Sequence, residues 1–122
     1  MKLNQYPAAI ALAAQRVNEI DSQIASIHLL INRLEGNADK IAAFEVDLKN
    51  DNQRKARRFD VLATNIEYQR SLDSLIQLNS EKANAVAHLE YMRNQFSVAK
   101  LEARLSLVQQ LNDFETRELV GL

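Results

Sequence analysis

The sequence predicts an all-α protein: a long antiparallel coiled-coil helical hairpin forming a single helical domain over residues 1–122. Three observations carry that expectation. The chain holds two Gly and one Pro, where average usage puts roughly 8–9 and about 6 in this length. So few punctuators cannot make the tight turns of a sandwich or barrel. Apolar content of 47% and charged content of 25% are those of a folding chain, not a disordered one. Finally, Ile10, Ala13, Val17, Ile20, Ile24, Ile27, Ile31, Leu34, Ala38 and Ile41 alternate in strict steps of three and four. That is the a/d seam of a coiled coil.

The first helix is expected over about 7–63. Pro7 suits its first turn, because the missing N–H has no helical partner there. Gly36 falls off the seam, where its cost is about 1 kcal/mol against Ala. The run Lys49–Arg58 interrupts the seam with polar residues without changing its phase, and Phe59 and Leu62 resume it. A second stripe runs Tyr68, Leu72, Leu75, Asn79, Ala83, Val86, Leu89, Met92, Phe96, Ala99, Ala103, Leu107, Leu111 and Phe114. It predicts a helix over about 66–119, with Gly121 just past its end.

Three places offer a bend: Gly36-Asn37, Asn50-Asp51-Asn52 and Thr64-Asn65, where Asn65 would cap a helix starting at Ile66. A bend at 64–65 makes arms of roughly equal length, each on the order of 80 Å, and finds a partner for every seam residue. Facing residues then have numbers adding to 130 or 131, as for Leu34 with Phe96, Val17 with Phe114 and the register pair Asn52 with Asn79. A polar pair inside a seam lowers stability but fixes register. A bend at 50–52 would leave the apolar residues after about 96 uncovered. The alternative architecture is a three-helix bundle broken near 50–52 and 79–80.

Residues 96–111 are apolar nearly all round. Val98, Leu101, Leu105 and Val108 form a second stripe, roughly 160–200° from the first at about 100° per residue. Leu12, Leu29 and Leu30 also lie off the first seam. One hairpin cannot bury both stripes, so these residues predict self-association at the end carrying the termini, as a dimer of hairpins.

Chemistry is sparse. No phosphate-cradling loop or nucleophile elbow occurs, since those need several Gly in a short span. A helical di-metal site needs Glu three residues before each His, but Ala25 precedes His28 and Ala85 precedes His88. With no Cys there is no disulfide framework and no thiolate metal site. No enzyme, metal or cofactor is expected. Glu45 with Lys49, Asp51 with Lys55 and Asp113 with Arg117 have the i,i+4 spacing of surface helix pairs.

Lys49, Arg54, Lys55, Arg57 and Arg58 set five cations against one acid in ten residues, while the whole chain has net charge −1. Arg/Lys clusters bind phosphate, which makes these five the candidate nucleic-acid contacts. No aromatic is interleaved among them to stack bases. The apolar run Ala8–Ala14 is too short to span a bilayer and has only Lys2 as a basic flank, so a cytoplasmic protein without membrane contact is expected. The stretch Arg54–Arg104 resembles small coiled-coil proteins of bacteria, phages and mobile elements, a likeness that assigns no residue a role. The leading expectation is a non-enzymatic adaptor, spacer or assembly factor with a protein partner. The alternative is a nucleic-acid-associated accessory protein using residues 49–58.

Overall fold

A computed structural model of the chain describes residues 1–120, except for the side chain of residue 120. Gly121 lies outside the described residues. The fold is all-α, and no strand occurs among the described residues. A 3-10 turn at Leu3–Gln5 leads into α1 (Tyr6–Phe44), followed by α2 (Asp51–Thr64) and α3 (Ile66–Val120). The entry to α1 is closed by two bonds: the Gln5 N–H donates to the Lys2 carbonyl, and the Lys2 N–H donates to Gln5 Oε1 at 2.8 Å. The chain divides into two compact units, one of residues 1–16 with 85–122 and one of residues 17–84.

In the 17–84 unit, the helix expected over 7–63 is two helices with residues 45–50 non-helical between them. The local chemistry is clear. Asn50 takes an extended backbone, and its side chain accepts from the Gln53 N–H at 2.9 Å. Gln53 Oε1 in turn accepts from the Lys49 N–H at 2.6 Å. Such a reciprocal arrangement satisfies donors that the first turn of a helix leaves orphaned. The Leu48 N–H meets the Glu45 carbonyl at 3.4 Å, tightening the turn.

Contacts show which segment reverses the chain. Arg57 pairs with Glu45, Arg58 with Asp39, Tyr68 with Glu35 and Lys82 with Asp21. As the chain advances from 57 to 82, its partners retreat along α1, so α2 and α3 both run antiparallel to α1. The reversal is therefore residues 45–50, nearest the candidate at Asn50-Asp51-Asn52. Thr64-Asn65 is a break, not the bend. Asn65 is the only residue between α2 and α3. It caps α3 as expected, accepting from the Tyr68 N–H at 3.1 Å. Its own N–H bonds the Leu62 carbonyl and its carbonyl takes the Gln69 N–H, so little backbone bonding is lost there.

The register differs accordingly. Residue numbers add to 103 for Tyr68 with Glu35 and for Lys82 with Asp21. The expected sum of 130 or 131 is not the one adopted. Asn52 and Asn79 are both exposed, so they form no register pair inside a seam. The core of this unit is Ile20, Ile31, Leu34, Ala38 and Ala42 from α1, Leu62 from α2 and Ser71 from α3. Ile20, at 1% exposure, is the most deeply buried large side chain. The Ser71 hydroxyl is satisfied by the Glu67 carbonyl at 2.8 Å, which removes the penalty of burying it. The α1 seam stands as expected except at its end, where Ala42 is buried and Ile41 is exposed.

In the 1–16 with 85–122 unit, Tyr6, Ala13, Leu89 and Met92 are buried. The Tyr6 ring stacks on Phe96 with centroids 5.4 Å apart and planes 16° apart. The residue numbers of that pair add to 102.

A candidate self-association surface on α3

Tyr6 and Phe96 mark where the covered part of α3 stops. Lys100 Nζ lies 4.5 Å from the Phe96 ring centroid, a cation–π contact at the edge of the packed region. Ala99 is half-buried, and every residue from 100 to 119 is exposed. That is twenty consecutive helical residues with no covering partner among the described residues, about 30 Å of helix at ~1.5 Å per residue.

The segment is not polar. Val98, Leu101, Leu105 and Val108 are 47–62% exposed. Leu107, Leu111 and Phe114 are exposed as well. Those three continue the face that Leu89, Met92 and Phe96 bury further up the same helix. Sequence reasoning placed them inside the seam, opposite residues such as Val17; the adopted register leaves them bare. Two apolar faces are thus open on one stretch of helix. An isolated helix of this length is marginal in water without a packed face.

Leu12 is exposed and belongs to the same compact unit. Leu29 and Leu30 belong to the 17–84 unit. Leu29 is exposed, whereas Leu30 is half-buried in a groove it shares with Ile27, Ile66 and Ser71. Leu30 therefore serves helix packing. Near the reversal, Phe44 and Val46 are exposed at positions the seam pattern did not single out, and Phe59, expected to resume the seam, is exposed as well.

Lys49, Arg54, Lys55 and Arg57 of the basic cluster are exposed and Arg58 is half-buried, and carboxylates lie against three of these cations. Arg57 Nε bonds Glu45 Oε2 at 2.7 Å. Arg58 Nε bonds Asp39 at 2.5 Å and its Nη2 is 3.7 Å from Glu35. Arg54 pairs with Asp51 at 3.2 Å. Lys55 shares a shallow groove with Asp39, Asp51 and both Arg54 and Arg58, and Lys49 contributes its backbone N–H to the Gln53 bond. The facing carboxylates of Arg57 and Arg58 come from α1 and the residue just after it. The expected Glu45–Lys49 pair is likewise replaced: α1 ends at Phe44, so residues 45 and 49 do not share a helix face. Asp51 takes Arg54 in preference to Lys55.

These pairs are exposed at their rims and worth little each. Their effect is to hold α2 on α1. Tyr68 adds to the same cluster, donating its hydroxyl to Glu35 Oε1 at 3.2 Å. Burial pushes the Tyr68 phenol above its ordinary value, the Glu35 charge and hydrogen bond push it further, and Arg58 pulls it back.

His28 and His88 are both exposed. Among the described residues no group of three or more His, Cys, Asp or Glu stands close enough to hold a metal ion. A groove of about 550 Å³ lies between α1 and α3, lined by Ser22, Ser26, Ser74 and Gln77 among others. It is open to solvent, and Glu81 lines it as well. No helix among the described residues is long and apolar enough to cross a membrane. The chain matches no protein-family model, and no curated protein and no solved structure is significantly similar to it.

Proposed function

We propose that this protein is a non-enzymatic coiled-coil interaction protein, an adaptor, spacer or assembly factor of the cytoplasm. In this reading it associates with a second copy of itself through the C-terminal stretch of α3. The observation that carries the reading is the uncovered segment 100–119, helical throughout and apolar on two faces. Burying the half-exposed Val98, Leu101, Leu105 and Val108 yields about 1 kcal/mol each, and the Leu107–Phe114 face adds to it. Two copies presenting the same surface close a symmetric pair. A single added helix covers only one of the two faces.

The nucleic-acid reading has weaker support, because Asp51, Glu45, Asp39 and Glu35 lie against Arg54, Arg57 and Arg58 and offset their charge. Sedimentation equilibrium of the full chain at micromolar concentration tests the main reading. The expected mass is twice 13.9 kDa or a higher multiple. Leu101→Glu with Leu105→Glu should return it to monomer while circular dichroism stays helical. A monomeric wild type refutes the reading.

A further inference from the structure

We infer that α2 is a charge-held flap, hinged at residues 45–50 and at Asn65, which leaves α1 when salt screens its ion pairs while α1 and the 66–84 part of α3 stay packed. Apolar contact gives α2 little hold. Of its fourteen residues only Leu62 is buried. Arg58 and Val61 are half-buried, and every residue from 51 to 57 is exposed. The same length of α3, residues 66–79, buries Ser71 and half-buries Tyr68, Leu72, Leu75 and Leu78. The α1 wall of the groove beside α2 is built from Ala42 and Ala43, which offer little apolar area.

Charge supplies most of the remaining hold. Arg57 Nε bonds Glu45 Oε2 at 2.7 Å, and Arg58 bonds Asp39 and lies 3.7 Å from Glu35. The two arginine side chains stay 43% and 39% exposed, so mobile ions reach them. Across the groove α2 presents Arg54, Lys55 and Arg58 with one acid, Asp51, a net positive face. The α1 side presents Asp39, with Glu35 within reach of Arg58, and is net negative. The two groove acids do not face each other bare, because Asp51 sits on Arg54 at 3.2 Å and Asp39 on Arg58. The net interaction is attraction, and the screening length falls from about 10 Å at 0.1 M salt to about 3 Å at 1 M.

Both ends of α2 are closed locally. Asn50 accepts from the Gln53 N–H at its start, and the Asn65 N–H bonds the Leu62 carbonyl at its end. The Asn65 side chain separately caps α3. Neither helix therefore loses a cap when α2 moves. The six non-helical residues 45–50 span at most about 20 Å, which bounds the swing of the start of α2 about Asn65. A segment with few buried apolar contacts opens without unfolding the rest of its unit.

Amide hydrogen exchange of the full-length chain, read by mass spectrometry at about 0.1 M and about 1 M NaCl, tests the flap. Rates are taken relative to the unfolded chain at the same salt. A released helix of fourteen residues is marginal in water, so its amides exchange whenever it leaves α1. Exchange over residues 51–64 should speed up roughly tenfold between the two salts, while residues 20–38 of α1 keep their rate.

Two variants separate charge from apolar contact. Arg57→Gln with Arg58→Gln removes the cations that reach Glu45, Asp39 and Glu35. Its α2 should exchange fast at both salts, with no salt response left. Leu62→Ala should speed exchange over 51–64 at both salts and leave the salt response in place. Circular dichroism checks that each variant is still helical. Equal α2 rates at the two salts in the wild type, or an acceleration shared by α1, overturns the inference. A salt response that survives in the double arginine variant does the same.

Discussion

Asn50→Ala tests the point on which the fold turns. The Asn50 side chain accepts from the Gln53 N–H at 2.9 Å, and the Gln53 side chain accepts from the Lys49 N–H at 2.6 Å. Alanine removes the first bond and leaves one orphan donor at the start of α2. Loss of such a cap costs about 1 kcal/mol, within a range of about 0.5–2. For a chain of this length that lowers the melting temperature by about 3–5 °C. Gln53→Ala removes the side-chain acceptor of the Lys49 N–H and should cost a similar amount. The two changes act on one local unit, so the double variant should lose less than the sum of the singles. Thermal unfolding followed by circular dichroism, at a fixed protein concentration, reads all three. An Asn50→Ala variant melting within 0.5 °C of wild type would refute the placement of the reversal at residues 45–50, since a continuous helix over 7–63 needs no cap there. Strict additivity of the two single changes would refute their reciprocal bonding.

Two further outcomes follow from the same packing. Ile20→Ala should lose about 2–5 kcal/mol in denaturant unfolding, because Ile20 is 1% exposed; Asn52→Leu and Asn79→Leu should each stay within about 0.5 kcal/mol, and a strong stabilisation by either would restore them to a seam. The Tyr68 phenol has a raised pKa in the fold, so the protonated form is the one the fold favours. Its contribution is complete below the unfolded value near 10 and is lost as pH rises through the folded value. Tyr68→Phe should therefore melt lower than wild type near neutral pH, and the gap between the two should narrow above about pH 10; a gap that widens there would refute the assignment.

Much of the local structure was legible. Helix over nearly the whole chain followed from the lack of Gly and Pro and from the α1 seam. Pro7 and Asn65 stand at helix starts for the reasons their chemistry supplies. The α3 seam was read less well. Its inward positions include Ser71, and Leu78 and Lys82 in place of Asn79 and Ala83. Polar side chains in a seam are invisible to a search for apolar ones, yet Ser71 bonds the Glu67 carbonyl and Lys82 reaches Asp21 at 2.8 Å. The candidate surface was half legible. The stripe Val98, Leu101, Leu105 and Val108 stood out, whereas Leu107, Leu111 and Phe114 were assigned partners that the fold withholds.

Residue order alone was enough to read that the chain is helical, which face of α1 turns inward and where α3 starts. Those properties depend on neighbours three or four positions away. Tertiary structure decided where the chain reverses and which residues stay uncovered. The expected and adopted registers, with number sums of 131 and 103, differ by 28, or four heptads. A seam that repeats every seven residues looks the same after such a shift, so apolar spacing cannot choose between them. The choice falls to features outside the repeat: the Asn50–Gln53 cap and the carboxylates of α1 that meet Arg57 and Arg58. The same four-heptad shift leaves the last twenty described side chains of α3 bare. The surface on which the proposed assembly depends exists because the chain folds back early.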